Sequence, residues 1–143
     1  MHKPTYPQIY IYKRIVQAKL FIDNNYSRKI NLENIANEAY FSKYHFIKLF
    51  KQIYGLTPHQ YLKLRRIEAA KNLLKSSRYS IIEVCFEVGF ESVTSFSGLF
   101  KKVTGKTPKL FQKEHQRRQK EMSLAPLKFI PFCFSREKPE AIF

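Results

Sequence analysis

Tryptophan is missing from this 143-residue chain, aspartate occurs once, cysteine twice and glycine four times. Each scarcity excludes something. Asp23 stands alone, and His2, His45, His59 and His115 are scattered. No paired cysteines, HExxH run, glycine-rich phosphate loop or Ser-His-Asp set can be assembled from these positions. The chain is therefore expected not to be an enzyme and to hold no metal and no cofactor. Cys85 and Cys133 are too few and too far apart for a disulfide framework. Cys85 takes the place that Ala36 holds in an earlier stretch, so it reads as a small buried hydrophobe. No apolar run reaches the 18 residues of a membrane span, and residues 1–7 lack the apolar core of a signal peptide. A reduced, cytoplasmic protein without membrane contact is expected.

Positive charge is what the chain has in excess. Lys and Arg number 26 against 11 Asp and Glu, a net charge of +15 with pI near 9.9. Such one-sided charge points to a polyanionic partner, nucleic acid above all. With 44% hydrophobic residues there is material for a real core, so wholesale disorder is excluded.

Residues 90–108 organise the rest. Phe96, Leu99, Phe100 and Val103 fall at the i, i+3, i+4, i+7 spacing of one buried helical face. Gly105 stands where a left-handed C-terminal cap is wanted, and Thr107-Pro108 reads as an N-cap followed by proline at the first helical position. The same phrase occurs 50 residues earlier as Phe46, Leu49, Phe50, Ile53, Gly55 and Thr57-Pro58. Upstream of the turns the offset becomes 49, pairing Ile35, Ala36 and Phe41 with Val84, Cys85 and Phe90. Two copies make two supersecondary units rather than a solenoid.

The spacing predicts an all-α chain of about seven helices. A first helix over about 8–25 buries Ile11, Ile15, Ala18 and Ile22. Asn31 caps a short helix, and a turn at Tyr40-Phe41 leads to Ser42, the cap of a second helix ending at Tyr54. Short helix, turn and helix with an exposed polar face make a helix-turn-helix. A linker helix over 57–76 follows, with Gln60 completing a capping box on Thr57. Ser80 and Glu83 form another box ahead of the second unit. The expected organisation is 1–56 for the first helix and first unit, 57–76 for the linker, and 77–121 for the second unit and a basic helix. Residues 122–143, rich in proline and phenylalanine, form an extended arm that packs back on the body or serves an oligomer contact.

The pattern from Ile35-Ala36 to Phe50-Lys51 and Thr57-Pro58, and again from Val84 to Gly89-Phe90 and Thr107-Pro108, resembles the DNA-binding domain of the AraC/XylS family of bacterial transcription regulators. The resemblance covers roughly residues 8–115. It implies a sequence-specific regulator of transcription, usually an activator. It implies double-stranded DNA as partner, bound by a monomer, with RNA polymerase as a further partner. The chain looks like a member without the family's N-terminal sensor domain, or like an isolated domain. It departs from the pattern at Gly98, where the family usually carries Arg, and at Tyr40, where the family has Gly.

A recognition helix must turn one face to the major groove while the other holds the domain. The base-facing candidates are Tyr44, Ile47 and Lys48 in the first copy and Val93, Thr94 and Ser97 in the second. Ile47 suits a thymine methyl and Lys48 the guanine O6/N7 edge. Ser42 and Ser92 at helix N-termini suit phosphates, as do Lys43, Lys51, Ser95, Lys101 and Lys102. The second set of base-facing candidates is short and nearly neutral, so the first unit is expected to carry more of the sequence discrimination. A weakly specific basic nucleic-acid binder or a protein-interaction module is the rival reading.

Overall fold

The computed structural model describes residues 6–31, 33, 35, 36 and 42–124. Six helices are delimited there, and no strand occurs among the described residues: α1 (Tyr6–Asn25), α2 (Lys43–Tyr54), α3 (Pro58–Leu74), α4 (Ile81–Glu87), α5 (Val93–Thr104) and α6 (Pro108–Leu124). Between α1 and α2, Glu33, Ile35 and Ala36 are helical. The Asn31 side-chain oxygen accepts from the Glu33 amide at 2.9 Å and its carbonyl from Ile35 at 3.3 Å, the expected cap. The turn expected at Tyr40-Phe41 and residues 125–143 lie outside the described residues.

The sequence repeat is repeated in geometry. Ser42 and Ser92 each sit in extended backbone and accept the amide three residues on. Gly55 and Gly105 close their helices at φ 75° and 80°, donating to the carbonyls of Lys51 and Lys101 at 2.8 Å in both cases. A side chain at such φ is strained, so glycine there ends the helix cheaply. Phe46 meets Phe50 at 5.8 Å between ring centroids, and Phe96 meets Phe100 at 5.7 Å. Each head closes on a ring from the next helix: Phe50 on Tyr61 at 5.7 Å, Phe100 on Phe111 at 5.4 Å. Both following helices are 17 residues long.

Two cores result. Ile15, Ala18, Ile22, Ile35, Ala36, Phe46, Phe50 and Leu62 form the first. Ile67, Ala69, Ala70, Leu74, Val84, Cys85, Val88, Phe90, Phe96 and Phe100 form the second. Each fully buried Phe contributes about 1.5–3 kcal/mol by leaving water. Val103 does not join them: it is 40% exposed. Its counterpart Ile53 packs on the first core beside Tyr54, whose ring lies 4.8 Å from Phe50. Thr104 replaces that tyrosine in the second head, so the core ends a turn earlier.

Helix α3 belongs to both heads, giving Leu62 to one core and Ile67, Ala69, Ala70 and Leu74 to the other. Both expected capping boxes form, Thr57 with Gln60 and Ser80 with Glu83. The strut is shorter than the expected 57–76. It stops at Leu74, capped by Lys75, and spans about 25 Å at ~1.5 Å per residue. Helix α6 instead runs past the expected 121 to Leu124.

Polar contacts lock the strut to its neighbours. The only aspartate, Asp23, accepts from Tyr61 Oη at 2.5 Å and Lys19 Nζ at 2.8 Å, with Arg65 Nε 3.7 Å away. Burial pushes the Asp23 carboxyl up, but these hydrogen bonds and the charges of Lys19 and Arg65 outweigh it, and it ends below the ordinary aspartate value. Arg66 donates to the backbone carbonyls of Tyr26 at 2.7 Å and Arg28 at 3.0 Å. Against the same loop lies Gly89 of the second head at φ 98°, where a Cβ would stand 2.9 Å from the Tyr26 carbonyl oxygen. Arg66 and the close approach of Gly89 thus bring the strut and the second head against the loop that follows α1.

Candidate nucleic-acid interface

The first recognition face is set by where α2 spends its apolar residues. Phe46 and Phe50 are fully buried, so residues half a turn away face outward. Tyr44 is 85% exposed and Lys48 is exposed beside it. Ser42, Tyr44, His45, Lys48, Leu49 and Gln52 line one shallow hollow of about 430 Å³. Tyr44, Lys48 and Gln52 follow at i, i+4 and i+8, so Gln52 shares the face. Sequence reasoning passed over Gln52 although that spacing marks it. Ile47 turns partly inward and packs on the first core.

In the second head Thr94 and Ser95 are exposed and Ser97 is half-buried. Val93 packs against the second core. Gly98 lies open, with nothing within 4 Å of where a Cβ would be. No steric demand keeps glycine there. The outward sets thus differ as the sequence suggests: ring, ammonium and amide on one head, small hydroxyls and a bare backbone on the other.

The remaining candidates flank these faces. Lys51, Lys101 and Lys102 are exposed in the last turns of α2 and α5. The Ser42 hydroxyl accepts from the His45 amide at 3.3 Å and the Ser92 hydroxyl from the Ser95 amide at 3.2 Å. Ser92 and Ser95 hydroxyls lie 2.9 Å apart. Lys43 pairs with Glu33 at 3.1 Å, both well exposed, a weak tie that solvent screens. Among the described residues no cluster of three or more His, Cys, Asp or Glu could hold a metal ion, and no helix is long and apolar enough to cross a membrane.

Two helix-turn-helix heads on a common strut, each with a solvent-facing second helix, define a double-headed helix-turn-helix protein. A family model described as a helix-turn-helix domain matches residues 35–114, more than half of the chain. The chain belongs to this family, the AraC/XylS-type DNA-binding transcription regulators. It is 37% identical over 92 residues to the bifunctional transcriptional activator/DNA repair enzyme AdaA of Bacillus subtilis, covering 64% of this chain and 44% of that protein. With the transposon Tn10 TetD protein of Escherichia coli it shares 31% identity over 99 residues, 69% of this chain and 72% of the relative. Among solved structures, the DNA-binding domain of AdpA in complex with a target DNA superposes with a TM-score of 0.71 at 26% identity, covering 75% of this chain and 96% of that one. The chain thus spans under half the length of AdaA and most of TetD.

Proposed function

We propose that the protein binds a specific duplex as a monomer, inserting α2 and α5 into adjacent major grooves of an asymmetric site, and activates transcription in the cytoplasm through contact with RNA polymerase. The observation that carries this reading is the pairing of two outward helical faces on one rigid strut, with Arg66 and Gly89 fixing their placement. A strut of about 25 Å with a head at each end suits successive grooves about 34 Å apart if the duplex bends modestly.

In this reading Tyr44, Ile47, Lys48 and Gln52 meet base edges, Lys48 at guanine and Gln52 at adenine. Thr94, Ser97 and Val93 meet bases less selectively. Ser42, Lys43, Lys51, Ser92, Ser95, Lys101 and Lys102 hold phosphates. The organisation into a first unit, a linker and a second unit is part of the proposal. Selection of bound duplexes from a random pool tests it. The expected outcome is a non-palindromic consensus with two blocks about one helical turn apart, sharper in the block read by α2. Recovery of no consensus would favour a weakly specific basic binder.

A further inference from the structure

We infer that the cleft between the two heads is a seat for the phosphodiester backbone separating the two grooves, an inference that rests on the duplex-binding reading above. The cleft measures about 640 Å³, and its walls include Lys29, His59, Lys63, Arg66, Ser92 and Ser95. His59, Lys63 and Arg66 stand at i, i+4 and i+7 of α3, one face of the strut. Lys63 and Arg66, three residues apart on that face, are like charges, which repel and destabilise a helix. Burial pushes the His59 imidazole below its ordinary value, and the charges of Lys63 and Arg66 push it further.

The surroundings do little to offset that charge. Among the described residues Glu91 is the cleft's one carboxylate, and it lies 3.7 Å from Lys29 with both side chains more than four-fifths exposed. Three cations, Lys29, Lys63 and Arg66, therefore face a single acid. Elsewhere on the same helix Lys71 is matched by Glu68 at 3.0 Å, whereas Lys63 has no ion-pair partner among the described residues. Arg66 donates to two backbone carbonyls and remains a cation, so it supplies a positioned positive charge to the cleft wall. The paired hydroxyls of Ser92, the N-cap of α5, and Ser95 in its first turn line the same cleft. A repulsive cluster of this kind is relieved by an anion. The anion that two heads grip from either side, and that must pass between them, is the backbone of the duplex.

The test uses the full chain and a selected duplex carrying neutral methylphosphonate linkages at the phosphates between the two half-sites. These linkages are expected to weaken wild-type binding about three- to tenfold, the loss of one or two phosphate contacts. Lys63→Ala should bind the unmodified duplex more weakly by a similar factor, no longer respond to the neutral linkages, and show a salt slope shallower by about 0.9. Lys63→Arg should behave as wild type, and Lys63 is exposed, so a circular dichroism spectrum should match for all three. An equal penalty from the neutral linkages in wild type and Lys63→Ala would overturn the proposal. So would a shift of the His59 resonance in millimolar inorganic phosphate without any response to the neutral linkages, which assigns the cleft to a free anion. A wild type that prefers no duplex over random sequence brings down the underlying reading as well.

Discussion

Replacing Gly89 by alanine should damage the protein more than the same change at Gly55, because only Gly89 is held by a contact as well as by its backbone. Both have positive φ, 98° and 75°. A side chain in that region costs about 1–2 kcal/mol. At Gly55 the new methyl would meet nothing within 4 Å, and the strain is the whole cost. At Gly89 it would stand 2.9 Å from the Tyr26 carbonyl oxygen, 3.0 Å from Arg66 Nε and 3.0 Å from the Ser27 carbonyl oxygen. Two of those atoms are backbone, so relief means opening the Arg66–Tyr26 hydrogen bond of 2.7 Å. A bond from a charged donor is worth about 1.5–3 kcal/mol. Gly89→Ala should thus lose about 2.5–5 kcal/mol and Gly55→Ala about 1–2. Urea unfolding followed by circular dichroism measures both. The affinity of Gly89→Ala for a two-block site should also fall more than for either block alone. Equal losses from the two substitutions would refute the idea that Gly89 clasps the heads.

Other substitutions probe the rest of the account. Asp23→Asn should cost about 1–3 kcal/mol at neutral pH by weakening the contacts from Lys19 and Tyr61. Since the folded carboxyl titrates below its ordinary value, its stabilisation is present above the unfolded value and lost as pH falls through the folded one. The variant's disadvantage in urea midpoint should therefore shrink as pH falls below the ordinary aspartate value. Gly98→Ala, placed in open space, should stabilise by about 0.8–1 kcal/mol through helix propensity, seen as a rise in Tm. Gly98→Arg should raise duplex affinity and steepen its salt dependence, read in a salt titration. Lys48→Ala should relax sequence preference at one position and cost about 1–3 kcal/mol there, measured by competition between single-base variants. Lys101→Ala should weaken all duplexes alike.

Much of the fold is legible in the sequence because a duplicated phrase constrains itself. A lone Phe-x-x-Leu-Phe could be many things. Its recurrence with the same glycine stop and Thr-Pro restart predicts the caps at Gly55 and Gly105 and the cores around Phe50 and Phe100, and these form. The repeat runs further than the identical letters, since Tyr61 and Phe111 fill matching places as different residues. Val103 reads as core by periodicity alone, but whether a last-turn residue is covered depends on its neighbour, and Thr104 is too small to extend the core. The clasp was not legible. Arg66 reads as one cation in a basic run, and its carbonyl partners at Tyr26 and Arg28 are made by loop placement some 40 residues away. The outward faces of α2 and α5 follow from helical spacing once Phe46 and Phe96 are assigned inward. The inward lean of Ile47 and Val93 depends on how each head packs.

The strut's rigidity is the claim on which the function rests, and a spacing series tests it most directly. Base pairs are inserted one at a time between the two blocks of the selected duplex, and affinity is measured at fixed salt. An insertion of about five, half a helical turn, should reduce binding to that of a single block, and about ten should not restore it because the heads cannot separate. Affinity independent of spacing, or recovered at ten, would contradict a fixed pair of heads.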